Sequence, residues 1–325
     1  MATQQPQSDT VPLGSSDLQV SRVGIGAWAW GDTYWGNAPT DDFRAAFRAS
    51  IQGGITLVDT AEVYGFGRSE RFLGGFLKEG PRPAIASKFF PYPWRLFKGQ
   101  LMTALKASLR RIGVERLDLY QIHWPVPPRS TNTWVSAIGE AAAAGLTRAV
   151  GVSNYNLEQT QRAFDLLDRH GVHLASNQVH YSLLARGPEK SGLLDLCKKL
   201  GVTLIAYSPI EQGILTGKYT PANPPSGARR ARYGGETLAR VQPLIGLLRE
   251  IGQAHGGKTP GQVAINWTVA KGALPIPGIR NLRQAEETAG TLGWNLTPDE
   301  VTALDKASEQ VPQNSSRTTL EGQAH

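Results

Sequence analysis

Residues 149–179 read AVGVSNYNLEQTQRAFDLLDRHGVHLASNQV. A short apolar run, Ala149-Val150-Gly151-Val152-Ser153, gives way to Asn156, whose side chain can cap a helix. Residues at helical spacing then continue to His170, and Gly171 is a stop signal. A second strand-like run, Ala175-Ser176-Asn177-Gln178-Val179, follows. The segment is a strand–helix–strand unit, and strands that are apolar rather than alternating suit a parallel sheet buried on both faces.

The same unit recurs outward in both directions. Strand-like runs stand at 23–26, 55–60, 84–88, 117–123, 202–208 and 274–278, which with the central two makes eight. Between them, Asp41 and Asp42 can cap a helix that ends near Gly53-Gly54, and Leu101 to Ile112 is helical up to Gly113. Lys190 to Leu200 reads as one helix ending at Gly201, and Thr259-Pro260 opens another that closes near Gly272. Eight strands with seven or eight intervening helices make either a doubly wound sheet or a closed barrel. No G-x-G-x-x-G turn follows an early strand, which favours the barrel. The expectation is therefore an α/β chain forming one (β/α)8 TIM barrel over residues 13–310. An extra C-terminal helix is opened by Thr297-Pro298-Asp299-Glu300. Residues 1–12 and 311–325 are read as polar, flexible tails, and 220–235, rich in Pro, Gly and Arg, as a long loop.

The 325 residues are 40% hydrophobic and 19% charged, as in an ordinary globular protein. The single cysteine, Cys197, has no disulfide partner in the chain, suits a reducing compartment and reads as a buried filler. The net charge of +7 is spread along the chain apart from Arg229-Arg230-x-Arg232, without the basic and aromatic clustering expected of a nucleic-acid binder. An enzyme for a polyanionic cofactor carries a similar excess. No run approaches a membrane span and no basic, then apolar, leader opens the sequence, so a cytoplasmic protein, or the mature form of an organellar one, with no membrane or nucleic-acid partner is expected.

Catalytic groups of a parallel barrel collect at the carboxyl ends of its strands. Four polar residues fall there: Asp59, Tyr64, Lys88 and His123. A tyrosine, with an ordinary pKa of about 10, can give a proton to a carbonyl only if a neighbour stabilises the phenolate. Lys88 can supply that charge, Asp59 can hold Lys88, and His123 can hydrogen-bond the carbonyl oxygen or relay the proton. None of the four is a good nucleophile, so the missing reactant is a hydride, and that requires a cofactor.

The motifs Gly-Ile-Gly-Ala-Trp (24–28), Asp-Thr-Ala-Glu-Val-Tyr-Gly (59–65), Ala-Ser-Lys (86–88), Gln-Ile-His-Trp-Pro (121–125), Gly-Val-Ser-Asn-Tyr (151–155), Ala-Tyr-Ser-Pro (206–209) and Pro-Ile-Pro-Gly (275–278) stand one to a strand end. In this order the chain resembles the aldo-keto reductase superfamily over nearly its whole length. The resemblance implies NADPH-dependent reduction of an aldehyde or ketone, with the family's catalytic tetrad on Asp59, Tyr64, Lys88 and His123. It implies cofactor contacts from Gly26, Ala27, Trp28 and Asp59 at the first strands, and from Ser153, Asn154 and Gln178 around the carboxamide. Tyr207 would stack on the nicotinamide, and Ser208, Pro209, Ile210, Gly213, Leu215, Gly217 and Lys218 would run along the pyrophosphate. Gly278, Arg280, Gln284, Glu287 and Thr288 would hold the adenosine phosphate, with the planar fork of Arg280 on the 2′-phosphate and Arg283 as a weaker candidate. Where the family usually has Glu-Asn this chain has Glu287-Thr288, which replaces a two-sided amide by a hydroxyl.

Trp28, Trp30, Trp35, Trp94 and Trp124 all fall in or near strand-end loops, which points to a pocket for a planar carbonyl lined by Trp28, Tyr64, Trp94, His123 and Trp124. Ala-Trp-Ala-Trp-Gly (27–31), Trp-Gly (35–36) and Tyr-Pro-Trp-Arg (92–95) resemble the branch that contains plant-type pyridoxal reductases, which implies pyridoxal as a substrate beside simpler carbonyls. Two other readings stand against this one. A two-metal barrel hydrolase would need more strand-end histidines than the chain has. A cofactor-binding regulatory subunit of the channel-β type, turning over slowly, would carry the same motifs.

Overall fold

The apolar runs pair side by side in chain order, all parallel, because each can satisfy its backbone groups only against a neighbour of the same kind. The computed structural model describes residues 9–31, 40–227, 229–230 and 233–311. Its strands are β1 (Ile25–Gly26), β2 (Leu57–Asp59), β3 (Ala84–Phe89), β4 (Leu117–Ile122), β5 (Thr147–Ser153), β6 (Leu174–His180), β7 (Thr203–Tyr207) and β8 (Leu274–Ile276). The sheet curls until its two edges meet, where Gly24 N–H donates to the Pro275 carbonyl and Gly26 N–H to that of Pro277, both at 2.9 Å. This is the (β/α)8 barrel anticipated from the spacing of the runs.

Side chains alternate across each strand, and the inward set is layered. Low in the barrel, Leu57, Ala86, Leu119, Ala149, Ile205 and Leu274 pack together with Leu13, Leu18 and Val20. Two residues further along the same faces stand Asp59, Lys88, Gln121 and Tyr207, with Ser153 and Gln178 beside them. The strand period therefore places an apolar floor beneath a polar roof. The outward residues, among them Val58, Ile85, Phe89, Tyr120 and Val152, form the larger core against the helices.

A hairpin of Thr10–Pro12 and Gln19–Ser21 closes the floor. Gly14, at φ 59°, lies where a Cβ would come within 2.3 Å of the Ala175 carbonyl, and its N–H donates to Thr203 Oγ1 at 2.6 Å. Residues 9–12, read from their polarity as part of a tail, are thus built into the fold: Asp9 also pairs with the buried Arg22. At the other end Val311 is buried as well, one residue beyond the expected boundary. Residues 1–8 and 312–325 of the expected tails lie outside the described residues.

The helices are α1 (Thr40–Gln52), α2 (Arg68–Phe76), α3 (Gly99–Ile112), α4 (Thr131–Ala143), α5 (Leu157–Asp168), α6 (Leu193–Leu200), α7 (Gly235–Ala254), α8 (Pro260–Ala270), α9 (Leu282–Ala289) and α10 (Pro298–Glu309). Asn156, Thr259 and Thr297, three of the starts read from sequence, each close a capping box with the residue three positions on, whereas Asp41 and Asp42, read as caps, stand inside the first turn of α1. The run 190–200 is not one helix. Gly192, at φ 76°, separates a short turn, Gly187–Lys190, from α6. α7 begins at Gly235, where the expected loop ends, and tolerates Pro243 within it. α10, the anticipated extra helix, is tied to the barrel wall through Asp305, which accepts from Trp267 Nε1 at 3.0 Å and Lys271 Nζ at 2.9 Å. No helix among the described residues is long and apolar enough to cross a membrane.

Trp30, grouped above with the rim aromatics, is 1% exposed. Its ring packs against Phe43, Phe47 and Phe76, and its indole N–H donates to the Ile279 carbonyl at 2.8 Å, stapling the first loop to the last. Trp35 lies outside the described residues. The loop after β2 is seated on the backbone of Gly31: Gly65 holds φ 58°, and a Cβ there would stand 2.1 Å from the Gly31 carbonyl oxygen. Gly65→Ala should therefore combine left-handed strain with overpacking and cost about 2 kcal/mol or more. The expected result is a lower urea midpoint with an unchanged slope. A midpoint equal to that of the unaltered protein would show that this loop relaxes freely.

Candidate active site

The polar roof of the barrel is organised by one buried ion pair. Lys88, from the end of β3, is fully buried, and its Nζ meets the Asp59 carboxylate, donates to the Thr60 carbonyl at 2.9 Å and reaches Tyr64 Oη at 3.3 Å. Asp59 Oδ2 accepts in turn from Gln178 Nε2 at 2.9 Å and Gln121 Nε2 at 3.2 Å, so both carboxylate oxygens are engaged. His123 follows β4, its ring edge-on to Tyr64 at 5.6 Å between centroids and to Phe90 at 5.7 Å. The four residues anticipated as a tetrad therefore come together at one place.

Their charge states follow from burial. Desolvation first, and the Asp59 carboxylate second, hold the Tyr64 phenol well above its ordinary 10.0. Burial lowers the Lys88 ammonium from 10.5 while Asp59 works against that shift. His123 is driven well below 6.5 by desolvation and then by the charge on Lys88. Lys88 does not, therefore, make a resting phenolate of Tyr64, because burial favours the neutral phenol and the Asp59 carboxylate acts in the same direction. At neutral pH the site holds a protonated phenol and a neutral imidazole, with a cationic donor directed at the phenol oxygen.

Beyond β5 and β6 the roof continues as a hydrogen-bonded shelf. Asn154, at φ 61°, donates from Nδ2 to the His123 carbonyl and to Ser153 Oγ, both at 3.0 Å. Ser153 Oγ donates to the Gln178 carbonyl at 2.8 Å, and Tyr207 Oη donates to Asn154 Oδ1 at 3.0 Å. The loop after β7 turns through left-handed backbone at Ser208, Glu211 and Gln212. Such conformations cost of order 1–2 kcal/mol per residue and need an anchor. Glu211 is fully buried, and its carboxylate accepts from His180 Nε2 at 2.9 Å, Ser182 Oγ at 2.8 Å and Tyr233 Oη at 2.7 Å. Burial alone would raise its pKa, but His180, Tyr233 and Ser182 together bring it down to about 2.

A cleft of about 500 Å³ runs from the tetrad across this shelf to the start of α9. Of the residues expected to touch a cofactor, Gly26, Trp28, Asp59, Ser153, Asn154, Gln178, Tyr207, Ser208, Pro209, Ile210, Gly213, Lys218, Gly278, Arg280, Gln284, Glu287 and Thr288 line it, as does Arg283. Ala27 and Leu215 are fully buried behind the wall, and Gly217 caps the turn that carries it, so these three shape the cleft without facing it. Tyr64, His123, Trp124 and Trp28 surround the inner end. Trp94 does not join them: it stacks on Tyr92 at 4.6 Å on the outer surface, is 68% exposed, and borders a separate shallow groove with Glu62 and Arg95.

The sequence reading missed several members of the site. Gln121 lies two residues before His123 and His180 two residues after Gln178, so the strand period alone could have found them. Arg229 lines the outer end facing Arg280, whose guanidinium is lowered by burial and then by the charge on Arg229. It belongs to the one basic cluster visible in the sequence, which composition could not place in space. Glu211 and Tyr233 have no local signal, since each makes sense only through its contact with the other.

A sequence profile of the Aldo/keto reductase family matches residues 22–309. The chain is 41% identical over 315 residues to a chloroplastic pyridoxal reductase of Arabidopsis thaliana, covering 91% of this chain and 86% of that protein. It superimposes on a glycerol dehydrogenase from Gluconobacter oxydans with a TM-score of 0.82 at 28% identity, covering 95% and 98% of the two chains. With an aldo-keto reductase from Klebsiella pneumoniae, solved in complex with NADPH, the TM-score is 0.73 at 26% identity, over 96% and 98%. Profile, relatives and barrel agree over nearly the whole length, and the chain belongs to the aldo/keto reductase family of oxidoreductases.

Proposed function

We propose that the protein reduces an aldehyde or ketone to an alcohol with NADPH, that Tyr64 gives the proton, and that pyridoxal is a substrate. The observation that carries this reading is the chain Asp59–Lys88–Tyr64 at the inner end of a cleft whose outer end presents two facing guanidiniums, Arg229 and Arg280. The cleft fits the cofactor in its donor set. Lys218, Arg229, Arg280 and Arg283 gather at the end where phosphates would lie, and Arg280 crowded by Arg229 is suited to an anion. The family membership and the NADPH complex of the Klebsiella relative support the same choice.

Tyr207, Ser153, Asn154 and Gln178 would hold the nicotinamide end, the loop after β7 the pyrophosphate, and Arg280 with Gln284 and Thr288 the adenosine end. Glu287 is engaged by the Thr259 hydroxyl at 2.6 Å and would meet the adenosine through its remaining oxygen. When bound, NADPH supplies the hydride. As negative charge grows on the carbonyl oxygen, Tyr64 releases its proton to that oxygen, and Lys88 Nζ–H stabilises the phenolate left behind. Asp59 keeps Lys88 in place. The neutral His123 can donate a ring N–H to the same oxygen and so orient the carbonyl. The aromatic walls of Trp28 and Trp124 suit a planar ring, and the likeness to the Arabidopsis pyridoxal reductase supports pyridoxal among such substrates.

With purified protein, NADPH should be consumed faster with pyridoxal than with simple aldehydes, and Tyr64→Phe should lower that rate by roughly 10²–10⁴-fold while NADPH still binds. Similar rates across the aldehydes would reduce pyridoxal to one substrate among many, and an active Tyr64→Phe would remove Tyr64 as the donor. Arg280→Ala should weaken NADPH by about 10- to 100-fold and NADH little, since the lost contact is to a charged phosphate. Equal weakening, measured by fluorescence titration, would move the phosphate site elsewhere. Because His123 is held neutral well below 6.5, kcat/KM should show no inflection near that pH as the medium is acidified, its protonation falling at lower pH. An inflection there that disappears in His123→Gln would mean that the imidazole titrates normally.

A further inference from the structure

Tyr207 is held on one ring face as well as at its tip. Its in-register partner across β6 and β7 is His180, and the two rings lie face to face, 5.4 Å apart and 7° from parallel. The hydroxyl of Tyr207 is held by Asn154. His180 is in turn held at Nε2 by the buried carboxylate of Glu211. A charged group is an expensive choice for such a place, since an apolar side chain would pack there without desolvation. What the carboxylate adds is direction: an N–H···O bond fixes the tilt of the imidazole plane, which packing alone leaves free. Ser182 and Tyr233 hold the carboxylate itself, so the chain of contacts ends in the turn just after β6 and in the segment leading to α7.

We infer that His180 and Glu211 are positioning residues for the cofactor, the pair setting the plane of Tyr207 and thereby the plane of the nicotinamide that stacks on its other face. The inference rests on the NADPH reading above. His180 stands at the end of β6 beside Tyr207, whereas Glu211 lies in the loop after β7 that is assigned to the pyrophosphate. Loss of the His180 ring therefore acts on the nicotinamide half of the cofactor, and Glu211→Gln reports on the hydrogen bond that orients that ring.

The test uses the whole protein and three probes: NADPH, NADH and adenosine 2′,5′-bisphosphate, which carries the phosphate end without nicotinamide. In His180→Ala, NADPH and NADH should both bind more weakly, by a common factor of roughly three to ten, as expected for the loss of one aromatic contact. The bisphosphate should bind as it does to the unaltered protein, and kcat should fall along with cofactor affinity. Glu211→Gln, which keeps the shape and removes the charge, should shift the same two affinities in the same direction by less. If Glu211→Gln does not fold, His180→Ala decides the matter alone. Unchanged NADPH affinity in His180→Ala, or weakening of the bisphosphate in parallel, would overturn the inference. Tighter NADPH binding would also overturn it, by placing His180 on the face that the nicotinamide uses. Failure of the unaltered protein to bind NADPH or the bisphosphate would instead remove the cofactor assignment, and this proposal with it.

Discussion

A lysine ammonium and an aspartate carboxylate can share the dry interior of a barrel only as a pair, and the Lys88–Asp59 contact sets the terms for everything around it. Removing either partner of a buried pair leaves an uncompensated charge and typically costs about 3–5 kcal/mol. The remaining lone pairs of Asp59 must also be satisfied, which Gln121 and Gln178 do from two other strands. The ion pair thus binds β2, β3, β4 and β6 at the same level, and what looks like catalytic equipment is also part of what aligns the roof. Because burial disfavours a phenolate and the Asp59 carboxylate adds to that, Tyr64 keeps its proton at rest. Lys88 acts only when a negative charge forms on the phenol oxygen, at which point the donor is already directed at it.

The separation of floor from roof follows from a period of two. Inward residues low on the strands are Leu, Ala and Ile, and the same faces higher up carry Asp, Lys, Gln and Tyr. Packing at one end and chemistry at the other are assigned by position along each strand. The hairpin completes this division, since its Leu13, Leu18 and Val20 are buried against the apolar layer.

The parts of this arrangement that depend on neighbours in sequence were legible in it. Capping boxes at Asn156, Thr259 and Thr297, glycine stops and strand-end polar residues are local, and they located most strands, several helices and all four members of the tetrad. What depended on contact across the chain was not legible. Trp30 sits in a loop yet is buried because Phe43, Phe47 and Phe76 come round to cover it. Trp94, two residues from Tyr92, turned outward to stack on that ring. Residues 9–12 are polar enough to pass for a tail, and become structural through pairing of Thr10–Pro12 with Gln19–Ser21 and the contact of Asp9 with the buried Arg22. Glu211, His180 and Tyr233 are three unremarkable residues until the fold sets them around one carboxylate.

The barrel is closed by hydrogen bonds from Gly24 and Gly26 to the carbonyls of Pro275 and Pro277. These partners stand at opposite ends of almost the whole described chain. During synthesis the first strand is therefore made long before the only strand that can cover its outer edge. Until the last strand emerges, the growing sheet presents two open rows of unpaired backbone groups, each a template for pairing with another molecule. Closure, rather than local helix or strand formation, is the event that ends this exposure, and it makes the late arrival of residues 274–278 the point at which the nascent chain ceases to be prone to aggregation.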